Sequence, residues 1–375
     1  MIRKPRGTLG WLLIAAVAIM ATDAPHASGA EPATTVFIVV GAPGETEYIK
    51  TFDESAQQWK KAATTAGAKL HWIGPQSDQP TQAQTPEEPS DKTPTDKEQL
   101  KSKLASAIKD SSADIWIVLI GHGTFDGRVA RFNLRGPDVS AKELDEWVSP
   151  MNRPLVVINC ASSSGPYIGT LSAPNRVVVT ATKSGFEQNY TRFGTHMSKA
   201  IADPDADLDK DGQTSLLEAY LMASRATADF YRLEGRLATE HALLDDNGDG
   251  MGTPADWFRG IRSTRKAKKD AAPDGRRAHQ YHLIRSAREK VMPPELVARR
   301  NELELQVMEL RDRKETMQQD QYFQELETLL VELAELYEQA AKSKSSAELQ
   351  ADLKTGSKTG SKTEPISDPD PPAAR

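Results

Sequence analysis

Two hydrophobic periods alternate along the first half of the chain. Val36–Val40 is a continuous apolar run, residues 47–66 put Phe52, Ala56, Trp59 and Ala63 on one helical face, and Lys69–Ile73 returns to strand patterning. Thr95 and Glu98 have capping-box spacing ahead of a helix whose Leu100, Leu104 and Ile108 share a face. A second box, Ser140 and Glu143, opens a helix reaching about Val148. Between and after these lie apolar runs at Ile115–Ile120, Leu155–Ile158 and Val177–Thr180, with a shorter alternating stretch over 128–134. Uninterrupted apolar strands separated by helices predict a mainly parallel sheet covered on both faces, a three-layer α/β domain.

The pattern changes past Ala181, where the chain reads as helical. Leu296, Leu303, Leu310 and Met317 repeat every seven residues, and Leu326, Leu329, Leu333, Leu336 and Ala340 follow at three- and four-residue steps. This predicts a helical hairpin over 293–342, turning near Gln318–Gln321 and packed on the core, with a face that can also take a protein partner. Residues 75–96 are rich in Pro, Gln, Ser and Thr and read as a flexible insertion; 261–292 read as a basic linker and 343–375 as a disordered tail.

Residues 1–30 combine Arg3, Lys4 and Arg6 with an apolar run from Trp11 to Ala21 and a small-residue end at Ala30. That is the layout of a cleaved export leader, so a soluble periplasmic or secreted product is expected, with a peptidase domain over 31–260. No later stretch approaches the roughly 20 apolar residues of a membrane span. The net charge of −6 gives no footprint for nucleic acid. Cysteine usage changes the picture most. Exported chains that use cysteine structurally carry it in pairs, whereas Cys160 is the sole one here.

Two apolar strands end in polar, glycine-containing turns, one at Gly121-His122-Gly123 and the other at Asn159-Cys160-Ala161-Ser162. In open parallel sheets the reactive crevice lies outside the carboxyl ends of strands. A cysteine attacks a carbonyl as its thiolate, and a histidine within reach supplies the base. The amides of Gly123 and Cys160 are the candidate oxyanion donors. Asp126 reads as a turn aspartate and not as a third catalytic member.

A strand ending in His-Gly followed by one ending in Cys-Ala-Ser resembles the catalytic pair of caspase–haemoglobinase-fold cysteine peptidases, in particular the legumain family. The resemblance covers residues 35 to about 200. It implies a caspase-like fold and an endopeptidase with a His122/Cys160 dyad acting on peptide or protein substrates. The stretch Val177 to Tyr190 is similar to the legumain segment bordering the specificity pocket, which makes Glu187 the pocket candidate. The alternative is a catalytically idle calcium-binding module of the same fold.

Asp207-Leu-Asp209-Lys-Asp211-Gly212-Gln213-Thr-Ser215-Leu-Leu-Glu218 has the ligand spacing of an EF-hand loop, with glycine sixth and glutamate twelfth. Asp207, Asp209, Asp211, Gln213, Ser215 and Glu218 are the candidate ligands of a structural Ca2+, and no organic cofactor is expected. Asp245 to Asp256 is a degenerate echo of that spacing. His71, His196, His241, His279 and His282 show no metal-ligand spacing in the sequence and are assigned ordinary surface or core roles.

Overall fold

The computed structural model describes residues 34–76, 93–110 and 113–356. The expected leader, most of the insertion and the end of the tail lie outside the described residues. Strands β1 (Thr35–Val40), β2 (Lys69–Ile73), β3 (Ile115–Ile120), β7 (Leu155–Asn159) and β8 (Arg176–Thr180) are parallel, in the order β8-β7-β3-β1-β2. Their limits follow the apolar runs because every residue of β1, β3, β7 and β8 is buried. Two short strands complete a seven-stranded sheet: β9 (Leu243–Asp245) adds antiparallel to β8, and β10 (Thr253–Pro254) adds antiparallel to β9.

Helices cover both faces, as the patterning predicts. Helix α1 (Thr46–Ala66), α5 (Phe193–Ala200) and α6 (Leu216–Leu233) bring Phe52, Trp59, Phe193, Met197, Leu216 and Tyr220 against Val118, Ile120, Ile158 and Cys160. On the other face, α2 (Asp96–Asp110), α3 (Ala141–Val148) and α4 (Pro166–Leu171) contribute Leu100, Leu104, Leu144, Val148, Tyr167 and Leu171. Burial of each such large side chain stabilises the fold by roughly 1.5–3 kcal/mol before entropy is counted. Both capping boxes form. Glu98 accepts from the Thr95 amide at 2.8 Å, and Glu143 accepts from the Ser140 amide at 3.0 Å.

A small sheet of β4 (Gly123–Phe125), β5 (Ala130–Phe132) and β6 (Val139–Ser140) starts directly after His122. It fixes the backbone there: Asn133 N–H donates to His122 O, and Ala42 N–H donates to Asn133 O, both at 3.0 Å.

The C-terminal hairpin consists of α8 (Pro294–Arg313) and α9 (Gln319–Gly356), closed by Leu303 and Leu336. Helix α9 runs past residue 342 to Gly356, so the first part of the expected disordered tail is helical; Ala347-Glu-Leu-Gln-Ala-Asp-Leu353 has helix-forming composition up to that glycine. The 261–292 stretch also departs from the linker expectation. Ala278 and Leu283 are in the core, and the Asp246 carboxylate accepts from the amides of Gly275, Arg277 and Ala278 at 2.8–3.0 Å. Buried hydrogen bonds from a distant loop override its basic composition.

One buried acid in this stretch makes stability depend on pH. Asp274 accepts from Thr253 Oγ1 and from the Asp246 amide, and its pKa is pushed up to about 8 by burial and then by the Asp246 carboxylate. The unfolded chain releases this proton near 3.9, whereas the folded chain holds it to about 8. The favourable contribution is complete below the lower value and is lost as pH rises to the upper one. Melting temperature should therefore decline between pH 5 and pH 8, and Asp274→Asn should flatten that slope. Equal slopes for the two proteins would remove Asp274 as the cause.

Candidate active site and metal loop

β3 and β7 are neighbours in the middle of the sheet, so His122 and Cys160 follow the carboxyl ends of adjacent parallel strands. Both lie on the face covered by α1 and α5. Cys160 packs with Ile158 and Ile120, and the His122 ring stands edge-on to Tyr48 and Phe52 of α1, with centroids 4.7 and 5.1 Å away.

His122 Nε2 lies 3.2 Å from the carbonyl oxygen of Pro43 in the turn after β1. A carbonyl only accepts, so Nε2 carries the proton and Nδ1 is the basic atom of the ring. Burial holds the His122 pKa below its ordinary value, against the opposing Pro43 contact, which favours the neutral ring. Sequence reasoning missed Pro43 because a backbone carbonyl leaves no side-chain signature.

Cys160 is 4% exposed. Its pKa is pushed up to about 12, by burial and then by the Glu240 carboxylate. Gly194, in the first turn of α5, leans directly on it; a Cβ at that position would stand 2.6 Å from Cys160 Cβ and 3.2 Å from Sγ. A helix N-terminus beside a thiol ordinarily favours the thiolate. Here Glu240 takes the amides of Arg192 and Phe193 at 2.8–3.0 Å, placing a carboxyl group where the helix would offer a positive end. The thiol in this conformation is protonated and covered.

The two expected oxyanion donors are both engaged. Cys160 N–H donates to Leu119 O at 2.9 Å, continuing the β3–β7 ladder, which corrects the expectation of a free donor there. Gly123 N–H donates to Ser162 Oγ at 3.1 Å, a side chain that one rotamer change moves away. Glycine is required at 123 because a Cβ would stand 2.2 Å from Ser162 O. Beyond the thiol, Ser163 has a positive φ of 55°, and buried Ser163 Oγ and Asn159 Nδ2 have no hydrogen-bond partner. Strain and unsatisfied groups thus concentrate on the turn carrying the candidate nucleophile.

Glu187 lies on the loop beside that turn, since Ser163 N–H donates to Glu187 O at 2.8 Å. Its carboxylate accepts from the amides of Lys183 and His241 and meets His241 Nδ1 at 2.5 Å. The side chain ties the loop to residue 241 and does not stand free in a pocket. Phe186 next to it is 75% exposed, with its ring edge-on to Phe125. Asp126 caps its own turn by accepting from Arg128 and Val129 amides and pairs with Arg131, as read from the sequence.

In the acidic loop, donor atoms of Asp207, Asp209 and Asp211 come within 4.8 Å of one another. Asp207 accepts from the amides of Lys210 and Gly212, which bends the loop back on itself. Glu218, 1% exposed, is the third residue of α6; it accepts from Leu208 N–H and Asp209 N–H at one oxygen and from Ser215 N–H and Oγ–H at the other. The Gln213 side chain is engaged by Ser286, Asp211 and Glu289, which leaves its backbone carbonyl as the candidate ligand at this position. Ser215 Oγ is the N-cap of α6.

Asp245 accepts from the amides of Gly248 and Gly250, the same third- and fifth-residue contacts that Asp207 makes. The second loop therefore repeats the turn of the first. The fold also brings His279 and His282 to the first loop, 3.4 Å from Asp209 Oδ2 and 4.0 Å from Asp211 Oδ2. Their separation of some seventy residues from it in the sequence hid this proximity from motif reading.

No protein-family model matches the chain, and no curated protein matches it. Among solved structures, the Drosophila initiator caspase Dronc is similar at 12% identity and a TM-score of 0.37, over 57% of this chain and 79% of Dronc. Among the described residues no helix is long and apolar enough to cross a membrane.

Proposed function

We propose that the chain is an exported cysteine endopeptidase in a latent conformation, with Cys160 as nucleophile and His122 as base. The observation that carries this reading is the juxtaposition itself: a histidine with its Nε2 proton committed to Pro43 and a solitary thiol, on the same face, after the ends of adjacent central strands. In the reaction the sulfur bonds to a peptide carbonyl carbon, His122 takes the thiol proton and passes it to the departing amine, and water hydrolyses the acyl-enzyme. Gly123 N–H supplies an oxyanion donor once Ser162 rotates away. Phe186 and Phe125 offer an apolar platform at the rim for a substrate side chain. The leader read from residues 1–30 directs this activity to the periplasm or exterior.

A structural Ca2+ belongs to the same reading. Asp207, Asp209, Asp211 and Glu218 with the Gln213 carbonyl form the hard-oxygen set that calcium takes, and the ion would brace the start of α6 against the core.

Burial of the thiol and its raised pKa favour a second reading, in which the thiol is idle and the domain only binds. Labelling of the native chain separates the two. Iodoacetamide should modify resting Cys160 slowly, at a rate climbing about tenfold per pH unit with no plateau near neutrality, because the thiolate forms only towards pH 12. A peptidyl vinyl sulfone, which can occupy the crevice and open it, should label at pH 7 in wild type and not in His122→Ala. Peptidyl labelling that persists in that variant, or never occurs, would leave the idle-thiol reading standing.

A further inference from the structure

We infer that His279 and His282, together with Asp209 and Asp211, form a mixed nitrogen–oxygen site for a divalent transition-metal ion at the edge of the acidic loop. It shares two carboxylates with the calcium reading but is carried by a separate observation. The His282 side chain is 6% exposed, and its Nε2 is buried with no hydrogen-bond partner, facing Asp211 Oδ2 across 4.0 Å. His279 Nε2 faces Asp209 Oδ2 across 3.4 Å, and its side chain is 12% exposed. An unpaired buried ring nitrogen such as His282 Nε2 is costly unless it meets a ligand.

Each histidine–carboxylate pair is spaced as two ligands of one ion. Two donor atoms about 2.1 Å from a metal at a tetrahedral angle stand roughly 3.4 Å apart, against 3.4 and 4.0 Å in the two pairs; the donor atoms already within 4.8 Å of one another are those of Asp207, Asp209 and Asp211, so both rings move inward for the two pairs to share an ion. Each carboxylate keeps an anchor while doing so. Asp209 Oδ1 accepts from Asp211 N–H, Asp211 Oδ1 accepts from Gln213 N–H, and Asp211 Oδ2 also accepts from Gln213 Nε2 at 3.1 Å.

The histidines are held from behind. Asp246 pins Arg277 and Ala278, Leu216 N–H donates to Tyr281 O between the two rings, and Gln213 Oε1 accepts from Ser286 N–H. The nearby Arg300 guanidinium is paired with Glu289, so it does not leave an uncompensated positive charge beside the ion. Imidazole nitrogen is a poor ligand for calcium and a good one for zinc, copper, nickel or cobalt, which sets the chemical class.

Equilibrium dialysis of the full chain against Zn2+ tests the inference, with calcium titrated separately. Wild type should bind one zinc tightly, with affinity falling at least about tenfold in His282→Gln and roughly a hundredfold in the His279→Gln/His282→Gln pair. Zinc affinity equal in wild type and the folded double variant would overturn the site. Should the double variant not fold, X-ray absorption of zinc-loaded wild type decides: two imidazole scattering patterns support it, and an oxygen-only shell refutes it. Calcium binding lost or kept in these experiments bears on the calcium reading alone.

Discussion

Cys160→Ala should lower turnover of a fluorogenic peptide library by at least about three orders of magnitude while the protein stays folded. The size follows from chemistry: without sulfur there is no acyl-enzyme, and loss of a nucleophile or its base removes nearly all of the covalent pathway. Stability should change little, because Cys160 sits against Gly194 and the small side chain leaves only a modest void. His122→Ala should produce a loss of the same order, and the double variant should be no worse than either single one, since the two groups act as a unit. If Cys160→Ala retains turnover, the thiol is idle. If neither protein cleaves anything and vinyl sulfone labelling also fails, the binding-module reading takes over.

That this pair could be singled out reflects which forces leave marks in a sequence. β1, β3, β7 and β8 are buried on both faces and so are apolar throughout except at the end positions Thr35, Asn159, Arg176 and Thr180, and the capping boxes are read from two residues three apart. The candidate pair was legible because both residues follow such strands. Strands β9 and β10 span three and two residues, too few to show a period, and their places are set by pairing of β9 with β8 and of β10 with β9. The parts that set the state of the site were equally invisible. The Pro43 carbonyl, the Glu240 carboxylate over the start of α5 and the cover provided by Gly194 are contacts between remote segments. They make the candidate nucleophile a covered thiol with a raised pKa. The acidic loop divides the same way: its carboxylates follow a local repeat, whereas the histidines reach it through the fold.

Calcium should raise the melting temperature of the wild-type chain, Glu218→Gln should abolish that rise, and Glu218→Ala should in addition destabilise the calcium-free protein by about 3 kcal/mol. The amide keeps the shape and loses the charge. Its carbonyl oxygen can still accept from Ser215 or from Leu208, while its NH2 group meets donors on the other side, so a loop built around four donors loses part of its closure. Alanine leaves the Leu208, Asp209 and Ser215 amides without their partner at a position that is 1% exposed, and buried unsatisfied donors are where single substitutions become severe. For an ion bound only by the folded state, calcium at a hundred times its dissociation constant contributes about 2.7 kcal/mol. Thermal unfolding with calcium and with chelator, across wild type and both variants, gives all three terms. A calcium-induced shift of equal size in wild type and Glu218→Gln would show that the twelfth-position carboxylate serves α6 as a cap and takes no part in holding an ion.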